Sequence, residues 1–293
     1  MKKFFLSAGV CIAMVAPLFA QSGLRRQIVQ IVKPVNGIIG VSVLGLETRD
    51  TLNYNGNARL VMHSVMKLPI AITVLHLIDS GVFSLDKPIH IRKRDMAKNT
   101  WSPLRDKFPD GDVDVSIREL LAYMVSQSDN NACDILLKTI GGPPVVQCFL
   151  LSKSIRGIAI NASEAEMAAD WGVQYTNWCK PAEIVKLLDL FYKGNLLTKP
   201  STDFLYKIMT ETTTGPNRIK GLLPAGTEVA HKTGTSPTSA GRLTPATNDA
   251  GIITLPNGRH LAIAVLVCNS LDDEATREGV IAKVAKAVYD FYK

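Results

Sequence analysis

Three short motifs place hydroxyl, ammonium and amide side chains at spacings that suit acyl transfer. In chain order they read Ser64-Val65-Met66-Lys67, Ser128-Asp129-Asn130 and Lys232-Thr233-Gly234. A chain of this length is expected to contain an S-x-x-K about once, but S-D-N or K-T-G only roughly once in tens of chains. All three in one chain therefore predict an enzyme that forms a covalent intermediate on a serine.

Ser64 is the better of two candidate nucleophiles. The second S-x-x-K, Ser84-Leu85-Asp86-Lys87, lies between Gly81 and Pro88 and is predicted to form a loop. Ser64 instead precedes an apolar stretch over residues 65–77, which predicts a helix buried on nearly all sides. The N-terminus of that helix would favour negative charge developing beside the serine.

The other motif residues are predicted to approach Ser64 from three different elements. Lys67 follows Ser64 by three residues and shares its helix face. The Ser128-Asp129-Asn130 motif lies in a polar break between two apolar helical stretches, and Lys232-Thr233-Gly234 ends a β-rich stretch, where a substrate could approach the strand edge. Taken singly, these motifs would also fit a capping serine, a helix-capping turn and a bare edge strand.

Apolar periodicity predicts strands near both ends of the chain and helices between them. The 293 residues, 46% of them hydrophobic, suffice to bury a full core. Segment 60–195 is predicted to be mostly helical. The predicted elements around it are a helix at 22–33, strands at 37–46, 226–234, 248–255 and 261–268, and a helix at about 273–292. This order predicts two lobes.

The first 20 residues have the layout of a secretory signal peptide. Lys2 and Lys3 precede an apolar run over residues 4–19, which Ala20 follows. An uncleaved membrane anchor is the alternative, but about 16 apolar or small residues fall short of the roughly 20 that span a bilayer. We expect cleavage after Ala20, a secreted periplasmic protein and no stable membrane association after cleavage.

Composition argues against several partner and cofactor classes. The net charge is +7, and the basic residues are scattered without an aromatic-interleaved stripe, which argues against nucleic acid as a partner. No C-x-x-C or H-x-H is present, and the histidines at positions 63, 76, 90, 231 and 260 are too dispersed in sequence to suggest zinc. We expect a small-molecule substrate, no metal, no cofactor and a monomer.

The mature chain's cysteines, which could form three complete pairings or remain free thiols, are Cys133, Cys148, Cys179 and Cys268.

The three motifs together resemble those of class A serine β-lactamases. The resemblance covers most of the mature chain, and the stretches SQSDNNACDIL, ETTTGPNRIKG and AHKTGTS are similar to the PER and VEB extended-spectrum branch. It implies the α/β (α+β) fold shared with penicillin-binding proteins, an antiparallel sheet flanked by the N- and C-terminal helices plus an all-α lobe. We expect one catalytic domain at 21–293, with an α/β lobe at about 21–58 and 200–293 and an all-α lobe at about 59–199.

The resemblance implies hydrolysis of the β-lactam ring of penicillins and cephalosporins through an acyl-ester on Ser64. Lys67 would act as the acylation-side base or proton carrier, and Ser128 would pass a proton to the departing ring nitrogen. The backbone N–H groups of Ser64 and Thr235 would form the oxyanion hole. The implied substrate-binding residues are Trp101, Asn130, Arg218, Lys232, Thr233, Gly234, Thr235 and Ser236.

Among these residues, Lys232 and Arg218 would hold the substrate carboxylate, and Asn130 would bind a substrate amide. Trp101 would wall the mouth of the cleft, or be an ordinary tryptophan of the core or surface. Family members that use these three motifs without hydrolysing β-lactams provide the rival interpretations. One is a DD-peptidase, and the other is a penicillin-sensing domain that is acylated once.

The segment Glu164-Ala165-Glu166-Met167-Ala168 resembles the family pattern Glu-x-Glu-Leu-Asn. Glu164 would activate the deacylating water, with Glu166 as the second choice. The departure is Ala168, which stands where the family carries an asparagine, or this branch a histidine, and whose methyl group cannot hydrogen-bond water. Asn161 and Asn177 also stand where many members carry an arginine–aspartate clasp. We therefore expect a differently built, wider loop that admits bulky oximino-cephalosporins.

Overall fold

The computed structural model describes the backbone of residues 15–293 and the side chains from Ser22 onward. The predicted signal peptide at 1–20 therefore lies mainly outside the described residues. The helices are α1 Val15–Val32, α2 Lys67–Asp79, α3 Pro103–Lys107, α4 Ile117–Ser126, α5 Asn130–Ile140, α6 Pro143–Ser152, α7 Glu164–Ala169, α8 Pro181–Tyr192, α9 Lys199–Thr210 and α10 Glu274–Tyr292. The strands are β1 Ile38–Gly45, β2 Thr51–Tyr54, β3 Leu60–Val61, β4 Pro88–Arg92, β5 Gly111–Ser116, β6 Ile158–Ala159, β7 Trp178–Cys179, β8 Val229–Thr235, β9 Thr244–Thr254 and β10 His260–Ser270.

A five-stranded antiparallel sheet in the order β2-β1-β10-β9-β8 forms the core of one lobe. Successive side chains of a strand point to opposite faces. In β10, Ile263 and Val265 pack with α1 and α10, while Ala262 and Ala264 join the core of the helical lobe. Helices thus cover both faces, which explains why these strands are continuously apolar. The two-lobed fold is confirmed, and β8 forms the edge of the sheet.

The second lobe is mainly helical, but it also contains two small sheets that the prediction of an all-α lobe missed. One is a β4–β5 hairpin, and the other is three-stranded in the order β3-β7-β6. In the hairpin, Ile89 faces Val115 and Ile91 faces Val113, with charged and polar residues between them. This period-two pattern covers only a few residues of a charged segment, so it was overlooked beside the stronger helical periodicity.

The segment that carries Ser64 folds as a 3-10 turn, His63–Met66, that leads directly into α2. Every side chain of α2 from Lys67 through Leu75 is buried, which confirms the prediction of a helix enclosed on nearly all sides. Its axis is therefore fixed by the surrounding core, and Ser64 is held rigidly at its N-terminal end.

The four cysteines among the described residues are all free thiols. Cys133, Cys179 and Cys268 are buried, and Cys148 is exposed. Of the alternatives that the sequence left open, the structure contains none of the three disulfide pairings.

The loop from 161 to 177 is closed by a neutral amide instead of an ion pair. The Oδ1 atom of the fully buried Asn177 accepts hydrogen bonds from the backbone N–H groups of Asn161 (2.7 Å) and Ala162 (3.0 Å). Its Nδ2 donates to the carbonyl of Ala162 at 2.8 Å. One side chain thus satisfies three backbone groups, and the loop needs no arginine partner.

Replacing Asn177 with alanine should destabilise the protein. The substitution leaves two backbone N–H groups without their acceptor, so we expect the free energy of unfolding to fall by about 2–4 kcal/mol. Chemical denaturation measures this change. Asn161→Ala is the matched control, because it removes only the exposed bond to the Thr176 carbonyl and should cost less than about 1 kcal/mol. Equal losses in the two variants would contradict the role of Asn177.

Candidate active site

The three motifs and Glu164 converge on a cleft between the two lobes. We call the cavity of about 500 Å³ next to Ser64 the main cleft. Its walls come from the turn before α2, the segment before α3, the start of α5, α7 and the end of β8. The lining residues that the sequence singled out are Ser64, Trp101, Asn130, Glu164, Ala168 and Thr235.

Lys67 is the centre of the polar contacts in this site. Its side chain is fully buried, and Nζ lies 2.9 Å from Ser64 Oγ and 2.9 Å from Glu164 Oε1. The same ammonium donates to the Ser128 carbonyl at 2.7 Å and to Asn130 Oδ1 at 2.5 Å. Four oxygen acceptors thus surround the N–H donors of Lys67 and replace the water that burial removes.

Ser128 connects the two lysines of the motifs. Its hydroxyl accepts from Lys232 Nζ at 2.9 Å and lies 3.5 Å from Lys67 Nζ. The residue adopts a left-handed backbone conformation, with φ of +58°, which is costly for a non-glycine residue. The next residue, Asp129, holds this turn by capping α5 and accepting from Ser102 Oγ and the Leu104 N–H. The predicted polar break is therefore both a helix cap and a wall of the cleft.

Glu164 and Glu166 have different environments although they are two residues apart. Glu164 is buried, and its Oε1 lies 3.3 Å from Ser64 Oγ. Glu166 is exposed and turns back to Ser163, whose N–H and hydroxyl donate to its carboxylate at 2.8 Å each. Glu166 thus completes the capping box of α7. Of these two glutamates, the structure brings only Glu164 close to Ser64.

The buried charges shift one another's protonation. Burial raises the pKa of Glu164, but the adjacent Lys67 ammonium outweighs it, so the net pKa is lowered. Burial, together with the like charge of Lys67, holds the pKa of Lys232 well below its usual value, against the opposite charges of Asp249 and Glu164. Glu164 is therefore an anion at neutral pH, available to accept a proton.

The β8 residues divide between the cleft and the sheet. Thr233 and Thr235 line a branch of the cleft beside Ser64. A Cβ on Gly234 would lie 2.4 Å from the Met62 carbonyl, so this glycine allows β8 to approach the turn that carries Ser64. The Ser236 hydroxyl accepts from the Ala246 N–H at 2.9 Å and is buried. The Ser236 side chain thus faces the sheet instead of the cleft, which corrects the expectation for that residue, whereas substrate approach at Gly234 stays a prediction.

Arg218 lies behind Thr235 instead of facing the cleft. Its buried guanidinium pairs with Glu278 at 2.9 Å and donates to the carbonyls of Gly234 and Asn248. The remaining nitrogen donates to Thr235 Oγ1 at 2.8 Å. This position corrects the expectation that the Arg218 guanidinium faces the cleft, because the group reaches toward the cleft only as far as the Thr235 hydroxyl.

The cleft mouth contains Trp101, whose side chain is 59% exposed and donates from Nε1 to the Gln127 carbonyl at 2.8 Å. On the opposite side, the buried His63 lies 2.7 Å from Gln174 Oε1. Burial lowers the pKa of His63, so its ring is neutral at pH 7. His63 also has a left-handed backbone, with φ of +46°, directly before the nucleophile.

The family model for the beta-lactamase enzyme family matches residues 23–292 of this chain. The chain belongs to this family. It is a class A serine β-lactamase, a hydrolase. Beta-lactamase VEB-1 of Pseudomonas aeruginosa is 45% identical over 92% of this chain and 90% of its own length. Extended-spectrum beta-lactamase PER-1 of the same organism is 42% identical over 92% of this chain and 87% of its own length. The crystal structure of a beta-lactamase from Chitinophaga pinensis superposes with a TM-score of 0.90 at 49% identity, covering 92% of this chain and 98% of that one.

One residue of this β-lactamase's site was missed from the sequence. The Asp134 carboxylate accepts from the Glu164 N–H at 2.8 Å and from the Ala165 N–H at 2.9 Å. It therefore fixes the first turn of α7, which carries Glu164. The signal was available, because Asp134 follows Asn130 by four residues on α5 and shares its helix face. Burial raises the pKa of Asp134 to about 6, against the two backbone hydrogen bonds.

The raised pKa of Asp134 should make the β-lactamase lose stability as the pH rises. The folded pKa of about 6 exceeds the ordinary value of 3.8, so the native state keeps a proton that the unfolded chain releases. From pH 4 to pH 7 we expect wild type to lose up to about 3 kcal/mol relative to Asp134→Asn. Denaturant unfolding of both proteins at the two pH values measures this difference.

Asp134→Asn also loses a hydrogen bond to a backbone N–H group. This loss lowers the free energy of unfolding equally at both pH values, so it cancels when the two pH values are compared. Asp50→Asn is the matched control, because it makes the same change at an exposed aspartate. A parallel pH dependence of wild type and Asp134→Asn would contradict the assignment.

Proposed function

We propose that this β-lactamase opens the ring of penicillins and cephalosporins by acylation of Ser64 and hydrolysis of the resulting ester by water that Glu164 activates. The single observation that carries the proposal is that Ser64 Oγ lies 2.9 Å from Lys67 Nζ and 3.3 Å from Glu164 Oε1. A nucleophile, a proton carrier and a general base thus stand within hydrogen-bonding reach of one another.

In acylation, Ser64 Oγ attacks the lactam carbonyl carbon, and the hydroxyl proton passes to the Lys67–Glu164 pair. The oxyanion that forms is held by the backbone N–H groups of Ser64 and Thr235, at the N-terminal end of α2 and on the edge strand. The carbon–nitrogen bond of the ring then breaks. The Ser128 hydroxyl, held between Lys232 and Lys67, supplies a proton to the departing nitrogen and recovers one from the lysines.

In deacylation, Glu164 takes a proton from water as the water oxygen attacks the ester carbon. The bond from that carbon to Ser64 Oγ breaks, and the serine recovers its proton. The lowered pKa of Glu164 keeps the carboxylate charged before each cycle. A DD-peptidase or a penicillin sensor normally lacks a carboxylate at this place, so the position of Glu164 favours the hydrolase.

Lys232 would bind the substrate carboxylate together with the Thr235 hydroxyl, which Arg218 orients and polarises. Asn130 would bind a substrate amide, since it lines the cleft. Its side-chain carbonyl accepts a hydrogen bond from Lys67 Nζ. Trp101 would contact the substrate at the mouth. We also propose that the mature protein, residues 21–293, is a monomeric periplasmic domain without metal or cofactor.

The substrate range that we propose includes bulky oximino-cephalosporins. The relative PER-1 is described as an extended-spectrum β-lactamase. In this chain the α7 wall of the main cleft includes the exposed Ala168, whose methyl group leaves room for a large acyl side chain. Ala168 belongs to the loop from 161 to 177, which the neutral side chain of Asn177 closes through its hydrogen bonds to Asn161 and Ala162.

Glu164→Gln should trap the acyl-enzyme. An amide cannot take the proton from water, so turnover should fall by about 100-fold or more while Ser64 is still acylated. Mass spectrometry of the purified protein mixed with a cephalosporin should show wild type returning to its unmodified mass and the variant remaining acylated.

Glu166→Gln is the matched control, because the same change two residues away touches only the α7 cap and should leave turnover nearly intact. Ser64→Ala should show no adduct. Persistent stoichiometric acylation of wild type would instead identify a peptidase or a sensor, and rapid turnover by Glu164→Gln would remove Glu164 from the mechanism.

Narrowing the cleft at Ala168 should discriminate between large and small substrates. We expect wild type to hydrolyse an oximino-cephalosporin as well as benzylpenicillin. In Ala168→Leu, kcat/KM for the cephalosporin should fall about tenfold more than for the penicillin, because a few methyl groups in a pocket discriminate by about 1–3 kcal/mol. Steady-state kinetics on both substrates provides the measurement. Turnover of small penicillins alone by wild type would refute the extended range.

A further inference from the structure

Glu164 borders two cavities, and only one of them contains the nucleophile. Besides the main cleft, a second cavity of about 310 Å³ lies between α7 and the segment 97–100. We call it the side cavity. Five residues line both cavities: Asn99, Thr100, Asn130, Glu164 and Ala168. Ala97, Ala165 and Ala169 line the side cavity and not the main cleft. Ser64 lines the main cleft and not the side cavity.

The side cavity is suited to hold water. Its walls include the polar side chains of Asn99, Thr100, Asn131 and Asp134, and a polar space of this volume holds several water molecules. Lys98, Asn130, Glu164 and four alanine residues complete its lining. Asn131 fixes the segment opposite α7, because its side chain bonds to both the N–H (2.8 Å) and the carbonyl (3.2 Å) of Ala97.

We propose that the side cavity is the route by which water reaches Glu164 while an acyl group occupies the main cleft. The inference rests on the deacylating role proposed for Glu164. An acyl-enzyme with a bulky side chain fills the space beside Ser64 and closes the direct approach from solvent. The carboxylate of Glu164 would remain accessible from the side cavity, through the part of it that Ala97 and Ala169 line, which we call the gap. Because Ala168 offers no hydrogen bond to retain a water molecule, replenishment through this gap supplies each turnover.

Filling the gap should slow deacylation of bulky adducts selectively. Ala169→Phe adds a ring at the C-terminal end of α7, at an exposed position that does not line the main cleft. Deacylation after acylation by an oximino-cephalosporin should fall about tenfold, which corresponds to about 1.4 kcal/mol in the barrier. Deacylation after a small penicillin should change less than about twofold, because water still enters beside a small acyl group. Rapid-quench mass spectrometry separates acylation from deacylation for each substrate.

Ala97→Phe tests the same gap from the opposite wall, and it leaves the backbone bonds of residue 97 in place. Thr139→Phe is the size-matched control, because it lines a neighbouring groove on α5 that contains neither Glu164 nor Ser64. Selective slowing in both gap variants, with acylation unchanged, supports the route.

Two results would overturn the water route. Unchanged deacylation in both gap variants means that water arrives elsewhere. Equal slowing for both substrates, or slowed acylation, means that the ring displaces Glu164 or that the side cavity binds substrate. Failure of the proposed function is recognised separately, because Glu164→Gln would then turn over both substrates whatever the gap variants do.

Discussion

The buried ammonium of Lys67 is the contact on which the arrangement of the site depends. Four parts of the chain supply its acceptors: the turn before α2, the α4–α5 connection, the first residue of α5 and the first residue of α7. An interior charge is tolerated only while these partners are present, because an unpaired buried charge costs several kcal/mol. The packing of the helical lobe and the positions of Ser64, Ser128, Asn130 and Glu164 therefore depend on each other.

Two residues next to the contacts of Lys67 have strained backbone conformations. His63 and Ser128 both adopt left-handed backbone conformations that non-glycine residues avoid, and each is adjacent to a catalytic contact. Their surroundings compensate through Gln174, through the Asp129 cap and through the close approach of β8 that Gly234 permits. A site that is organised before substrate binds needs little rearrangement when charge develops in the transition state.

The motifs and the apolar periodicity of the sequence were sufficient to predict the order of strands and helices and the position of Ser64 before a buried helix. Contacts between distant segments were harder to predict. The burial of Arg218 behind Thr235 depends on Glu278 and Asn248, which belong to other elements. The orientation of the Ser236 side chain toward the sheet likewise depends on the register of residue 236 with Ala246 in β9. Such orientations follow from tertiary packing, which no short pattern encodes.

The neutral closure of the loop at Asn177 has a consequence for the conditions under which the enzyme works. An arginine–aspartate clasp near the surface weakens as ionic strength rises, because mobile ions screen its attraction. The amide of Asn177 has no net charge and is sealed from solvent, so dissolved salt has nothing to screen. This β-lactamase can therefore keep the loop that carries Glu164 ordered over a wide range of ionic strength.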